Sequence, residues 1–190
     1  MLANNLIGFW LIPFSLRFLT REEFSLYYIA TDLMLWLGIV NLGTSSVFVT
    51  RVAQELGKTT DTSRKILGLV NTAFFVQCFF AVIVLLLGSG ASFFLPLFFD
   101  TGNLTTEFQS VFFILSVSVA ITLIGQVFSG LLVASKQIHV DNLIQVVLIV
   151  PRIALTILLL KLGYGIIALA YVNLFVSVLG LVIPYFRVRK

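Results

Sequence analysis

Two charged residues stand where charge is costly. Asp32 interrupts the otherwise uncharged run Phe24–Thr50, and Arg152, beside Pro151, lies near the middle of the apolar stretch Leu143–Leu160. A charge at the centre of a bilayer costs about 2.5–3.5 kcal/mol on insertion scales and marks a functional position by default. An acid and a guanidinium placed there can bind an ionic cargo, or can neutralise one another and fix helix packing. Two further arginines flank apolar stretches. Arg17 lies within a turn of the end of the first, where it either snorkels into the headgroup zone or lines the mouth of a cavity. Arg51 closes the second and reads as a determinant of topology or a cytoplasmic gate.

Other chemistries lack their groups. His139 is the sole histidine and Cys78 the sole cysteine, which leaves no Cys-based metal site, no disulfide framework and no helical histidine pair. No phosphate-binding glycine loop is present, and acid–base catalysis needs convergent titratable groups that the sequence does not supply. The chain is therefore read as a non-enzyme without metal, cofactor or nucleic-acid partner.

These residues must be positioned by membrane helices. Of 190 residues, 59% are hydrophobic, 12 are Lys or Arg and 8 are Asp or Glu, against about a quarter charged in a soluble domain. No charge interrupts Ile66–Phe99, Phe108–Ser135 or Leu162–Phe186. The apolar total, about 112 residues, matches six crossings of about 20 residues each. The pattern predicts an all-α polytopic membrane protein, a single six-helix unit over 1–190, with spans near 2–18, 24–50, 66–87, 108–134, 143–160 and 165–186. The run Ile66–Phe99 would be about 51 Å long as one helix. Gly88-Ser89-Gly90 is the expected break, with Phe93, Phe94, Pro96, Phe98 and Phe99 in an interfacial segment. Span one lacks a basic leading flank, so it is expected to be retained rather than cleaved, with the natural start several residues further upstream.

Loop charges set the orientation. Arg51, Lys58, Arg64, Lys65, Lys136, Arg187, Arg189 and Lys190 fall on one side, and Arg17, Arg21 and Lys161 on the other. Both termini are thus expected in the cytoplasm. On this topology Asp32 and Arg152 each lie eight residues from the outer end of their helices, about 12 Å deep, which permits an ion pair if spans two and five are neighbours. Ser118, Thr122, Gly125 and Ser129 share one face of span four, and Asn173, Ser177 and Gly180 share one of span six. Such stripes serve close helix packing or line a hydrated pathway.

Several segments resemble polysaccharide flippases of the multidrug/oligosaccharidyl-lipid/polysaccharide exporter superfamily. The stretch Leu16–Tyr28, with Arg17, the acidic pair Glu22-Glu23 and aromatic Phe24 and Tyr27, is similar to their first outer loop, with Thr20 and Ser25 at two expected glycines. Asn41–Ser45 leading to Thr50–Ala53, then Ser129–Ala134 and Leu162–Ala170, are similar in order and spacing. The resemblance implies the amino-terminal lobe of a two-lobed transporter in the bacterial cytoplasmic membrane. A second six-helix lobe or a second copy would complete the cavity. It further implies flipping of undecaprenyl-diphosphate-linked oligosaccharide for cell-surface polysaccharide such as lipopolysaccharide or capsule. Arg152 and Arg17 are then the candidates for headgroup contact, since guanidinium binds phosphate in a forked geometry, with Asp32 as the charge partner. Two other functions stay open: cation-coupled multidrug efflux within the same superfamily, and a non-transporting fragment or assembly partner.

Overall fold

The computed structural model describes residues 13–38, 43–57, 62–94 and 104–189. The described residues are almost wholly helical, with no strand among them. They form α1 (Arg21–Gly38), α2 (Thr44–Leu56), α3 (Thr62–Phe94), α4 (Thr105–Ala134), α5 (Ile138–Lys161) and α6 (Gly165–Arg189). Residues 2–12 of the first expected span, together with Pro96, Phe98 and Phe99, lie outside the described residues.

Four of these helices are long and apolar enough to cross a membrane: α3 from Arg64 to Phe94, α4, α5, and α6 from Gly165 to Val188. At 1.5 Å per residue even the 24-residue α5 reaches about 36 Å, against about 30 Å of hydrocarbon. Helices that are apolar on every side need either a protein core or lipid around them. Half of the most apolar window of α4 is buried in the bundle, but only 17% of that of α3. The central helix is thus α4, while α3 turns large side chains such as Phe75, Phe79 and Leu86 outward.

Small residues set how the helices approach. Gly88 on α3 meets Ser116 on α4 so closely that a Cβ at position 88 would lie 2.6 Å from the Ser116 Cβ. This explains why α3 runs on through Gly88-Ser89-Gly90 to Phe94, where the sequence suggested a break near Leu87. Between packed helices a glycine brings two backbones together, and the neighbouring polar groups are absorbed locally, with the Ser92 Oγ donating to the Ser89 carbonyl at 2.7 Å.

Contacts along α4 fix the relative directions. Thr122 pairs with Ser177 at 3.1 Å, and three residues on, Gly125 lies against Gly180 and Leu181, so α4 and α6 are parallel. The Gly180 carbonyl at that contact lacks its helical N–H partner because residue 184 is proline. Ser116 meets Met34 of α1 and Gly130 meets Phe48 of α2. On α4 this step is fourteen residues, about 21 Å at helical rise. α1 and α2 therefore meet α4 in chain order, and Gly43, just before α2, is left-handed at φ 75°. The single helix expected over 24–50 is two helices.

Capping residues define the turns. Thr20 and Glu23 form a reciprocal capping box, the Thr20 N–H donating to Glu23 Oε2 at 2.7 Å and the Glu23 N–H to Thr20 Oγ1 at 3.3 Å. Leu19 before the cap and Phe24 inside the helix join one apolar cluster. α4 ends in a Schellman turn, with Lys136 N–H donating to Val133 O and Gln137 N–H to Leu132 O. Its left-handed position is held by Lys136 at φ 60°, a residue that carries a Cβ.

Candidate functional site

A chain of polar side chains links four helices through the bundle. On α6, Asn173 and Ser177 are four residues apart and so share a face. Asn173 Nδ2 donates to the Tyr27 hydroxyl of α1 at 2.6 Å, and Ser177 shares its 3.1 Å hydrogen bond with Thr122 of α4. Seven residues further along α4, on the same face, the Ser129 hydroxyl donates to Asp141 Oδ1 of α5 at 2.5 Å. Adding the rise from Asn173 to Ser177 and from Thr122 to Ser129 gives a polar seam about 16 Å long, roughly half the hydrocarbon thickness.

The seam includes residues of both polar stripes. Gly125 and Gly180 pack tightly within it, while Thr122 beside them stays exposed. Ser118 belongs to the packing side: it is buried, and its hydroxyl donates back to the Ile114 carbonyl at 2.9 Å.

Arg152 and Asp32 gather at the Tyr27 end. The positive charge of half-buried Arg152 on α5 acts on both Tyr27 and Tyr28, and the negative charge of exposed Asp32 acts on Tyr28 in the opposite sense. Thr156, buried one turn on, donates to the Arg152 carbonyl at 2.7 Å, securing the backbone that carries the guanidinium across Pro151. The two charges thus share the neighbourhood of Tyr28, but no ion pair joins them among the described residues. A shared neighbour does not make them partners.

The other two arginines lie elsewhere. Arg17 is exposed in the turn before α1, where its N–H donates to the Phe14 carbonyl at 3.1 Å, and it takes part in none of the seam contacts. Arg51 is exposed on α2 and lines cavities on that side of the bundle. Cys78 is half-buried on α3, and among the described residues no cluster of His, Cys, Asp or Glu is arranged to hold a metal.

Sequence reasoning did not single out Tyr27, Tyr28 or Asp141 as site residues. Tyr28 stands four residues before Asp32, a spacing that places both on one helix face. Asp141 was expected in a loop over Lys136–Asn142, whereas α5 begins at Ile138 and puts both His139 and Asp141 in its first turn. An acid there is favoured by the helix dipole, which was the available signal.

No protein-family profile matches the chain, and no curated protein or solved structure is significantly similar to it.

Proposed function

We propose that the chain is one lobe of a membrane transporter that flips a lipid-linked oligosaccharide, its polar headgroup following the seam while the isoprenoid tail stays in lipid. The observation that carries this reading is Arg152: a half-buried guanidinium in an apolar helix, beside two tyrosines, with no carboxylate paired to it among the described residues. Keeping an unpaired charge at such a position is costly, and a diphosphate headgroup supplies the missing anion with geometry that guanidinium matches. The hydroxyl and amide groups of Tyr27, Asn173, Ser177 and Thr122 suit a glycan, which needs many neutral hydrogen-bond partners.

The four apolar helices support the membrane setting. The topology we infer adds α1 and α2 as one broken crossing, because both pack against α4 in chain order; discontinuous helices are common where transporters bind cargo at membrane depth. The resemblance of Leu16–Tyr28 and Leu162–Ala170 to flippase segments supports the cargo class, the bacterial cytoplasmic membrane, cytoplasmic termini and a second lobe or copy. The test is reconstitution of the protein in vesicles carrying fluorescent undecaprenyl-diphosphate-linked oligosaccharide. Translocation above that of empty vesicles, reduced in Arg152→Gln, is expected; translocation no faster than in empty vesicles refutes the reading.

A further inference from the structure

Away from the seam, α2 separates two cavities that meet at its Val47 and Arg51. One, about 310 Å³, lies among α2, α3 and α4 and is lined largely by apolar groups, among them Phe48, Leu69, Ala73 and Val76. This size is at the lower end for small-ligand pockets. Two of its polar lining residues are joined to each other, with Gln77 Nε2 donating to Thr44 Oγ1 at 3.3 Å. The second cavity, about 390 Å³, is lined by Ser46, Thr50 and Gln54 together with Val47 and Arg51. The Ser46 and Thr50 hydroxyls donate to the carbonyls of Gly43 and Ser46. Arg51 and Gln54, whose side chains carry N–H donors, complete the described lining. Among the described residues lining either cavity, Arg51 is the one that is charged.

An apolar slot and a polar basin that share one cation have the shape of an amphiphile with an anionic head. We propose that this face of α2 binds an anionic membrane phospholipid, its phosphate on Arg51 and Gln54 and one acyl chain between α2, α3 and α4. Arginine suits this task because its fork can hold two phosphate oxygens at once. The inference needs only a bilayer around the chain and does not rest on the transport reading.

The test uses the full chain in delipidated detergent, titrated with phosphatidylglycerol, with zwitterionic phosphatidylcholine and with inorganic phosphate, and followed by thermal unfolding and by lipid retention in native mass spectrometry. A ligand at about 100 times its Kd should raise Tm by about 5–10 °C. Phosphatidylglycerol is expected to give that shift saturably, whereas phosphatidylcholine and phosphate should not. Arg51→Gln, at an exposed position, should remove the shift, and Ala73→Phe should remove it by filling the slot. If Ala73→Phe does not fold, Ala73→Leu with mass-spectrometric retention replaces it. Equal shifts with both lipids, a shift from phosphate alone, or a phosphatidylglycerol shift that survives Arg51→Gln would overturn the proposal.

Discussion

The Asn173 amide and the Tyr27 hydroxyl, 146 positions apart in the chain, meet at 2.6 Å and tie α6 to α1 at the level where Arg152 sits. Hydrogen bonds between membrane helices contribute about 0.6 kcal/mol on average and up to about 1.7. A double-mutant cycle with Tyr27→Phe and Asn173→Leu, read by reversible unfolding in mixed micelles, should return a coupling of about 1 kcal/mol. A coupling near zero would mean that the seam does not act as a connected unit.

Gly88 is the tightest point between α3 and α4. Gly88→Val should lower stability by about 1–3 kcal/mol through overpacking, and Ser116→Gly in the same chain should recover part of the loss because it vacates the space the new side chain needs. Unfolding midpoints of the single and double variants measure this directly.

Lys136 holds a left-handed backbone at the end of α4 that favours glycine, a conformation that costs a residue with a Cβ about 1–2 kcal/mol. Lys136→Gly should therefore stabilise the protein by about 1 kcal/mol, while Lys136→Val should destabilise it. Helical content followed through thermal unfolding separates the two.

Asp32 and Arg152 are not ion-paired and are linked only through their common neighbour Tyr28, so Asp32→Asn and Arg152→Gln should show a coupling in stability of no more than about 0.5 kcal/mol. Reversing both charges should not restore a stability lost through either change alone. A large coupling would show that the two charges support each other across α1 and α5.

These relationships show where the sequence was readable. The absence of charge from Phe108–Ser135 and Leu162–Phe186 was enough to place α4 and α6, because a bilayer excludes charge so strongly that composition alone marks a long helix. Glycine was harder to read. In water Gly88-Ser89-Gly90 suggests a break, but between membrane helices the same residues permit contact, and only the position of Ser116 reveals which applies. Gly43 was the reverse case, a break inside a stretch that hydropathy reads as continuous. Thr20-Arg21-Glu22-Glu23 already carried the capping-box spacing, at a point where the flippase pattern has a glycine in place of Thr20. Depth arithmetic put Asp32 and Arg152 at one expected height, and both charges act on Tyr28 without forming an ion pair. Pairing depends also on rotation about each helix axis, and counting residues from a helix end does not supply that angle.

The central claim is that Arg152 receives an anionic headgroup. Binding of undecaprenyl-diphosphate-linked oligosaccharide to the purified protein, compared with an analogue in which a neutral linker replaces the diphosphate, tests it most directly. A hydrogen bond to a charged group is worth about 1.5–3 kcal/mol, so the diphosphate form should bind at least about tenfold more tightly, and Arg152→Gln should bring the two ligands to similar affinity. Equal binding of both ligands by the unmodified protein, or a preference that persists in Arg152→Gln, would contradict the account.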